Sequence, residues 1–224
     1  MKNENGSARP PGAPGTHNAT ASSVVHPGAW ITILVALFLG SCAAPDTRHH
    51  IVVSTRDQKM ALLDGTAVKA IFPVSTSKFG LGDLPGSRFT PLGELQVAEK
   101  IGGNAPPGAV FKDRRRTGEI VQANSPGRDP IVTRILWLRG LESQNAHAFA
   151  RDIYIHGTPE ESRIGSPASY GCVRMRSGDI IYLYDIVGLG AAVSIVDVPL
   201  ATAVPGLITA HSMSPANPAP FVMR

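Results

Sequence analysis

Cysteine is scarce in this chain: 224 residues hold two, Cys42 and Cys172. That excludes a small disulfide-stapled fold, and a chain of this length can bury a core without one. No Cys/His spacing matches a zinc site, so no metal is expected. Aromatic residues make up only 6% and no groove-reading motif is present, so the formal charge of +4 indicates a weakly basic surface and not a nucleic-acid partner. A Walker loop and a Gly-x-Gly-x-x-Gly fingerprint are both absent, which leaves nucleotide chemistry unsupported, and no cofactor is expected. There is no internal repeat, and no apolar run reaches the roughly 20 residues that span a bilayer.

What is present is 43% hydrophobic and 17% charged, with 23 Gly and 19 Pro. That is the profile of one globular domain with many turns and short strands. Ala29 to Leu39 is uncharged and apolar, with the length of a signal-peptide core, and Leu39-Gly40-Ser41-Cys42 follows. This tetrapeptide resembles a lipobox, in which small residues fit the signal peptidase and the thiol accepts lipid. The expectation is a lipoprotein signal peptide over 1–41, a lipidated Cys42 and a tether over 42–49. The folded domain then spans 50–198 and a loosely ordered tail 199–224. The location is the cell envelope or periplasm, with the membrane reached through the lipid. With Cys42 consumed, Cys172 has no disulfide partner, and an exported orphan thiol is a liability unless it is used.

β-rich or extended runs mark strands at His50–Ser54, Gln58–Leu63 and Ala67–Ser75, the last two joined by the hairpin signal Asp64-Gly65. Thr90-Pro91-Leu92-Gly93 is a turn that launches a half-buried strand over Glu94–Lys100. Gly102 to Pro130 is expected to be a long excursion, with the basic run Lys112-Asp113-Arg114-Arg115-Arg116 on a solvated face. Ile131–Leu141 is a strand covered on both faces, and Ala191–Val198 is the last. In the strand Arg151–Gly157, Ile153 and Ile155 face inward, which puts Tyr154 and His156 together on the opposite face. Ser177 is expected to cap a helix running to Val187, with Ile180, Leu183, Tyr184 and Val187 on its buried stripe.

The chemistry concentrates in Ile155-His156-Gly157-Thr158 and Ala168-Ser169-Tyr170-Gly171-Cys172-Val173-Arg174-Met175. A free thiol is only slightly ionised at neutral pH, and an imidazole that takes its proton is the common remedy. Cys172 is therefore the candidate nucleophile and His156 its base. Gly171 permits a tight bend, so the Gly171 and Cys172 amides are candidate oxyanion donors. Arg174 is read as favouring the thiolate, holding a substrate carboxylate, balancing Asp179 or capping a helix. Tyr154 is expected to wall the cleft.

His-Gly-Thr followed by Ser-x-Gly-Cys-Val-Arg-Met resembles the signature of the L,D-transpeptidase (YkuD) catalytic domain, and Thr90-Pro91-Leu92-Gly93 resembles an earlier turn of that family. The resemblance covers roughly His50 to Val198, with its specificity in Gly157 through Met175. It implies a mainly β fold, a YkuD-like β-sandwich or bent barrel of mixed sheets with a short helix after the Cys. It also implies a Cys that attacks a peptidoglycan stem tetrapeptide, releases D-alanine and passes the acyl group to an amine of another wall peptide or a protein. On this resemblance the backbone of Gly157 orients the imidazole, and Ser169 fills a small-hydroxyl position. Tyr170 departs from the family's frequent His, and its hydroxyl, like Ser169, is expected to face substrate. The competing readings are an L,D-carboxypeptidase that uses water and a wall-binding lipoprotein with little or no turnover. A papain-like protease is disfavoured, because there the Cys precedes its His.

Overall fold

The structure is a computed structural model and describes residues 44–207. The expected signal peptide, Cys42 and the tail beyond 207 lie outside the described residues. The strands are β1 (His49–Ser54), β2 (Lys59–Asp64), β3 (Ala67–Pro73), β4 (Gly93–Ile101), β5 (Ala109–Lys112), β6 (Arg115–Ile120), β7 (Ile131–Gly140), β8 (Tyr154–Gly157), β9 (Val173–Met175) and β10 (Ala192–Val196). Two α-helices follow the later strands, α1 (Ser177–Ile186) and α2 (Leu200–Ala203). No helix among the described residues is long and apolar enough to cross a membrane.

All ten strands belong to one mixed sheet in the order β3-β2-β1-β10-β4-β7-β5-β6, which branches at β7 so that β8 and then β9 continue from it. The branch curls back on the start of the sheet. Just past β3, Ser75 exchanges backbone hydrogen bonds with Arg174 of β9 at 3.0 and 2.8 Å. This closes a bent barrel and leaves the β5–β6 hairpin as a flap beside it. Its interior holds Ile51, Leu62, Leu95, Leu136, Ile155, Val173 and Ile195 together with Ile180 and Leu183 of α1, all fully buried. The period of two that puts Ile155 inside puts Tyr154 outside, in a second cluster with Phe111, Ile135 and Trp137.

Three expectations need correction. The stretch 102–130 is not wholly an excursion: Ala109, Val110 and Phe111 are buried in β5, and β5 turns into β6 through Asp113 and Arg114, both at positive φ. A turn of that kind normally shows Gly or Asn, so the sequence hid it. Residues 46–49 are not a free tether. Burial alone would raise the Asp46 carboxyl, but the amides of Gly188, His49 and Arg48 and the His49 ring all donate to it and bring it down to about 2. Finally, the chain after Val198 is not loose at its start. Leu200 and Val204 are buried against Val52, Ala61 and Leu63, because both faces of β1 are apolar and the outer one needs a cover.

Candidate active site

β8 and β9 run parallel with Ile155 opposite Val173 and His156 opposite Arg174. That register brings Cys172, the residue before β9, beside Tyr154 at the start of β8. The Tyr154 amide donates to the Cys172 Sγ at 3.4 Å, and the thiol donates to the Asp152 carbonyl at 3.4 Å. Cys172 is a free, half-buried thiol that sits between two cavities. One, of about 240 Å³, is lined by Asp129, Ile131, His156, Tyr170, Cys172 and Arg174. The other, of about 230 Å³, includes Phe111, Arg114, Ile131, Asp152 and Tyr154 with the same cysteine. The thiol is thus reachable from two directions, and the imidazole faces one of them.

His156 is buried, and its Nδ1 lies 2.8 Å from the carbonyl of Gly157. A carbonyl only accepts, so Nδ1 carries the proton and Nε2 keeps a lone pair. Gly157 must be glycine, since a Cβ there would lie 2.6 Å from the Val132 carbonyl. The approach is this close because β7 bulges opposite it: Val132 pairs with Gly157 and Ile135 with His156, so two extra residues are squeezed between. One of them, Thr133, has φ +74, a conformation unusual for a β-branched residue. Its hydroxyl holds it there, accepting from the Gly108 amide at 2.9 Å and bonding Ser177 Oγ at 2.8 Å.

The loop before the thiol is fixed from within. Ser169 is fully buried; its hydroxyl donates to the Cys172 carbonyl at 2.6 Å and accepts from the Gly171 amide at 3.2 Å. Two expectations change as a result. The Ser169 hydroxyl is turned into the loop and staples it, and the Gly171 amide is already committed, which leaves the Cys172 amide as the remaining candidate of the expected pair. Gly171, at φ +127, also turns its carbonyl to the Thr90 hydroxyl at 2.9 Å, so the Thr90-Pro91-Leu92-Gly93 turn buttresses the loop before Cys172.

Arg174 is buried and ion-paired with Asp129 and, at 3.2 Å, with Glu160. Asp179, proposed from sequence as its balance, is not its partner. Asp129 also accepts from the Thr158 hydroxyl at 2.6 Å, which ties the His-Gly-Thr segment to the same ion-pair group. Tyr154 is buried, and its phenol pKa is raised by burial. Arg114, unremarkable in its basic run, turns away from its neighbours to reach Asp152 at 2.9 Å and the Tyr154 hydroxyl at 3.3 Å. From sequence, Asp129, Glu160 and Asp152 had no role, and Thr90 was named only in its turn and Arg114 only in its basic run, without these contacts. Their partners lie 14 to 81 positions away, and no local pattern marks them. Tyr170 is half exposed at the rim of the first cavity. Among the described residues, no cluster of three or more His, Cys, Asp or Glu side chains is placed to hold a metal ion.

Burial sets the charge states. It pushes the Cys172 thiol up to about 11; Asp152 adds to this, while the Tyr154 amide and the Arg174 and Arg151 cations oppose it. Burial likewise pushes His156 down to about 4, reinforced by the Arg174 cation against the Gly157 hydrogen bond. At neutral pH the two groups therefore rest as thiol and neutral imidazole, not as an ion pair. A neutral imidazole with a free Nε2 lone pair is chemically able to accept a proton.

Residues 48–195 match the model of the L,D-transpeptidase catalytic domain, YkuD. The chain is 48% identical over 178 residues to the Escherichia coli (strain K12) protein named "Probable L,D-transpeptidase ErfK/SrfK", covering 77% of this chain and 51% of that one. It is 30% identical over 163 residues to the same organism's "Probable L,D-transpeptidase YbiS", covering 70% and 47%. It thus spans about half the length of these E. coli relatives. An L,D-transpeptidase from Mycobacterium smegmatis superposes with a TM-score of 0.44 at 18% identity, covering 66% of this chain and 58% of that one. The match over 48–195 encloses the thiol, the imidazole and every strand of the barrel except the last residue of β10, and the chain belongs to the YkuD L,D-transpeptidase family.

Proposed function

We propose that this chain is an L,D-transpeptidase acting on peptidoglycan, with Cys172 as nucleophile and His156 as general base. The observation that carries the reading is that both line one cavity while the Gly157 carbonyl fixes the Nδ1 proton, which leaves Nε2 as the acceptor. As Sγ bonds to the carbonyl carbon of the diamino-acid residue in a stem tetrapeptide, its proton passes to Nε2. The oxyanion that forms is held by the Cys172 amide. The C–N bond to D-alanine then breaks, and its nitrogen takes the proton back from His156. An amine of a second wall peptide, or of a protein, enters next and gives a proton to His156; it displaces the sulfur, which takes that proton back and restores the neutral thiol and imidazole. Two openings onto one thiol suit a reaction in which a donor and an acceptor must reach the same carbon. Water entering in place of the amine would give L,D-carboxypeptidase activity from the same intermediate.

The Arg174 role follows from its partners: with two carboxylates against it, it fixes the walls of the base-side cavity, and a substrate carboxylate is not its first partner. Leu39-Gly40-Ser41-Cys42 after the apolar run supports lipid attachment at Cys42 and residence in the cell envelope. Fractionation tests this: Cys42→Ala should move the protein from membrane to soluble fractions.

The catalytic reading is tested by intact-mass analysis with defined tetrapeptides. Wild type should gain one acyl group on Cys172 and release D-alanine, with cross-linked dimers when an amine acceptor is supplied. Cys172→Ser should give neither adduct nor dimer. Binding without D-alanine release from wild type would favour a wall-binding protein instead.

A further inference from the structure

Tyr170, the residue at which the motif departs from the family, is not alone at the cavity rim. Its ring packs against that of Phe79 with centroids 5.4 Å apart and planes tilted 45°, and both side chains are about half exposed. Two cations bracket the pair. Lys78 Nζ lies 5.2 Å from the Phe79 centroid and 4.7 Å from that of Tyr170; the Arg88 guanidinium carbon lies 5.4 and 5.2 Å from the same two. Lys78 and Arg88 are both exposed, and among the described residues neither has a carboxylate within ion-pair reach.

The cluster is built into the fold. The Lys78 amide donates to the Ser169 carbonyl at 3.2 Å, and Ser77 Oγ donates to the Arg88 carbonyl at 2.5 Å while accepting from the Phe79 amide at 3.0 Å. Three segments, 77–79, 88 and 169–170, are thereby locked together directly before the nucleophile. Two like charges held over one pair of rings repel each other, and an anion between them relieves that repulsion.

We propose that Lys78, Phe79, Arg88 and Tyr170 form an anion subsite that takes the C-terminal carboxylate of the residue leaving from the donor peptide. The inference rests on the proposed transpeptidase reading, and it names which end of the donor is recognised. When the scissile amide is at Cys172, the carboxylate of a single leaving residue lies under about 4 Å from the reacting carbon, given standard backbone dimensions. Tyr170 lines the cavity that holds Cys172, and Lys78 and Arg88 lie over its ring, so Tyr170 joins the two cations to the place where that carboxylate would sit. The leaving residue's methyl group meets the exposed rings. A donor extended by one residue, or capped as an amide, loses the match, so the subsite selects donors that end at the residue to be released.

The test is calorimetric binding to Cys172→Ala, which cannot turn over. The ligands are a stem tetrapeptide with a free C-terminal carboxylate and the same peptide as its carboxamide. The free acid should bind about tenfold more tightly, the scale of a lost charge-assisted contact. That ratio should collapse toward one in the added double variant Lys78→Gln/Arg88→Gln, whose thermal midpoint shows whether it is folded. Equal binding of acid and amide, no binding of either, or an unchanged ratio in the folded double variant would overturn the subsite. Release of D-alanine from both peptides by wild type, measured separately, distinguishes the two claims. Turnover without acid preference sinks the subsite alone, whereas acid-selective binding without turnover sinks the enzymatic reading alone.

Discussion

The thiol and the imidazole differ in why they are where they are, and their burial gives a measurable signature. A cysteine activated as a preformed thiolate reacts with neutral alkylating agents at a rate that levels off near pH 6 or 7. Cys172, pushed up to about 11, should behave in the opposite way. In a Cys42→Ala background, the iodoacetamide rate at Cys172 should climb about tenfold per pH unit through 8 and 9 and flatten only near 11. A plateau below pH 8 would show that an ion pair exists at rest. At this scale the sequence was most informative about neighbours, because the proposed nucleophile, the proposed base and the glycines beside them share one short motif with a chemical reason for each position. It was silent wherever a residue's meaning depends on a distant partner. Ser169 looked like a substrate contact until its hydroxyl was found turned inward to the Cys172 carbonyl. For Arg174 the sequence offered Asp179 as one possible partner among several roles, yet its partners Asp129 and Glu160 come from two other loops.

At the level of elements, strands with clean alternation or with Gly-marked turns were legible, and those without were not. β6 is exposed at all six residues and β5 is only four long, so neither carries a periodic signal, and the hairpin emerges only from its pairing with β7. The start of α1 shows the same limit. Ser177 was expected to cap the helix, but Arg176 occupies that position and makes no side-chain cap bond. The Ser177 amide instead donates to Glu161 Oε1 at 2.8 Å, a carboxylate brought in from the 3-10 turn Glu161–Arg163. A cap supplied from outside the helix should cost as much to lose as a local one. Glu161→Ala should lower stability by about 1 kcal/mol in urea unfolding, while Ser177→Ala costs less as a cap because its hydroxyl bonds Thr133 instead. Equal stability of Glu161→Ala and wild type would show that water replaces the carboxylate at no cost.

Over the whole molecule, closing the barrel between Ser75 and Arg174 determines what His156 experiences: it sits on a strand walled by β7 on one side and β9 on the other, without water enough to solvate a charge. That cost belongs to the folded state only, so it links the active site to acid stability. His156 titrates at about 4 when folded, against 6.5 when unfolded. Above pH 6.5 both states hold it neutral and nothing is lost. As pH falls from 6.5 toward 4, the unfolded chain takes up a proton that the native protein refuses, and stability drops. Below 4 the loss levels off, after reaching ~3 kcal/mol for a depression of this size. His156→Gln removes the titrating group and keeps a polar side chain in its place. Urea unfolding at pH 7, 5 and 4 should therefore show wild type losing stability relative to the variant across that window. The other carboxylates and histidines titrate in both proteins, so their contribution cancels in the difference. Profiles that stay parallel from pH 7 to 4 would mean that the imidazole is solvated in the native state, and the neutral thiol–imidazole resting pair would fall with it.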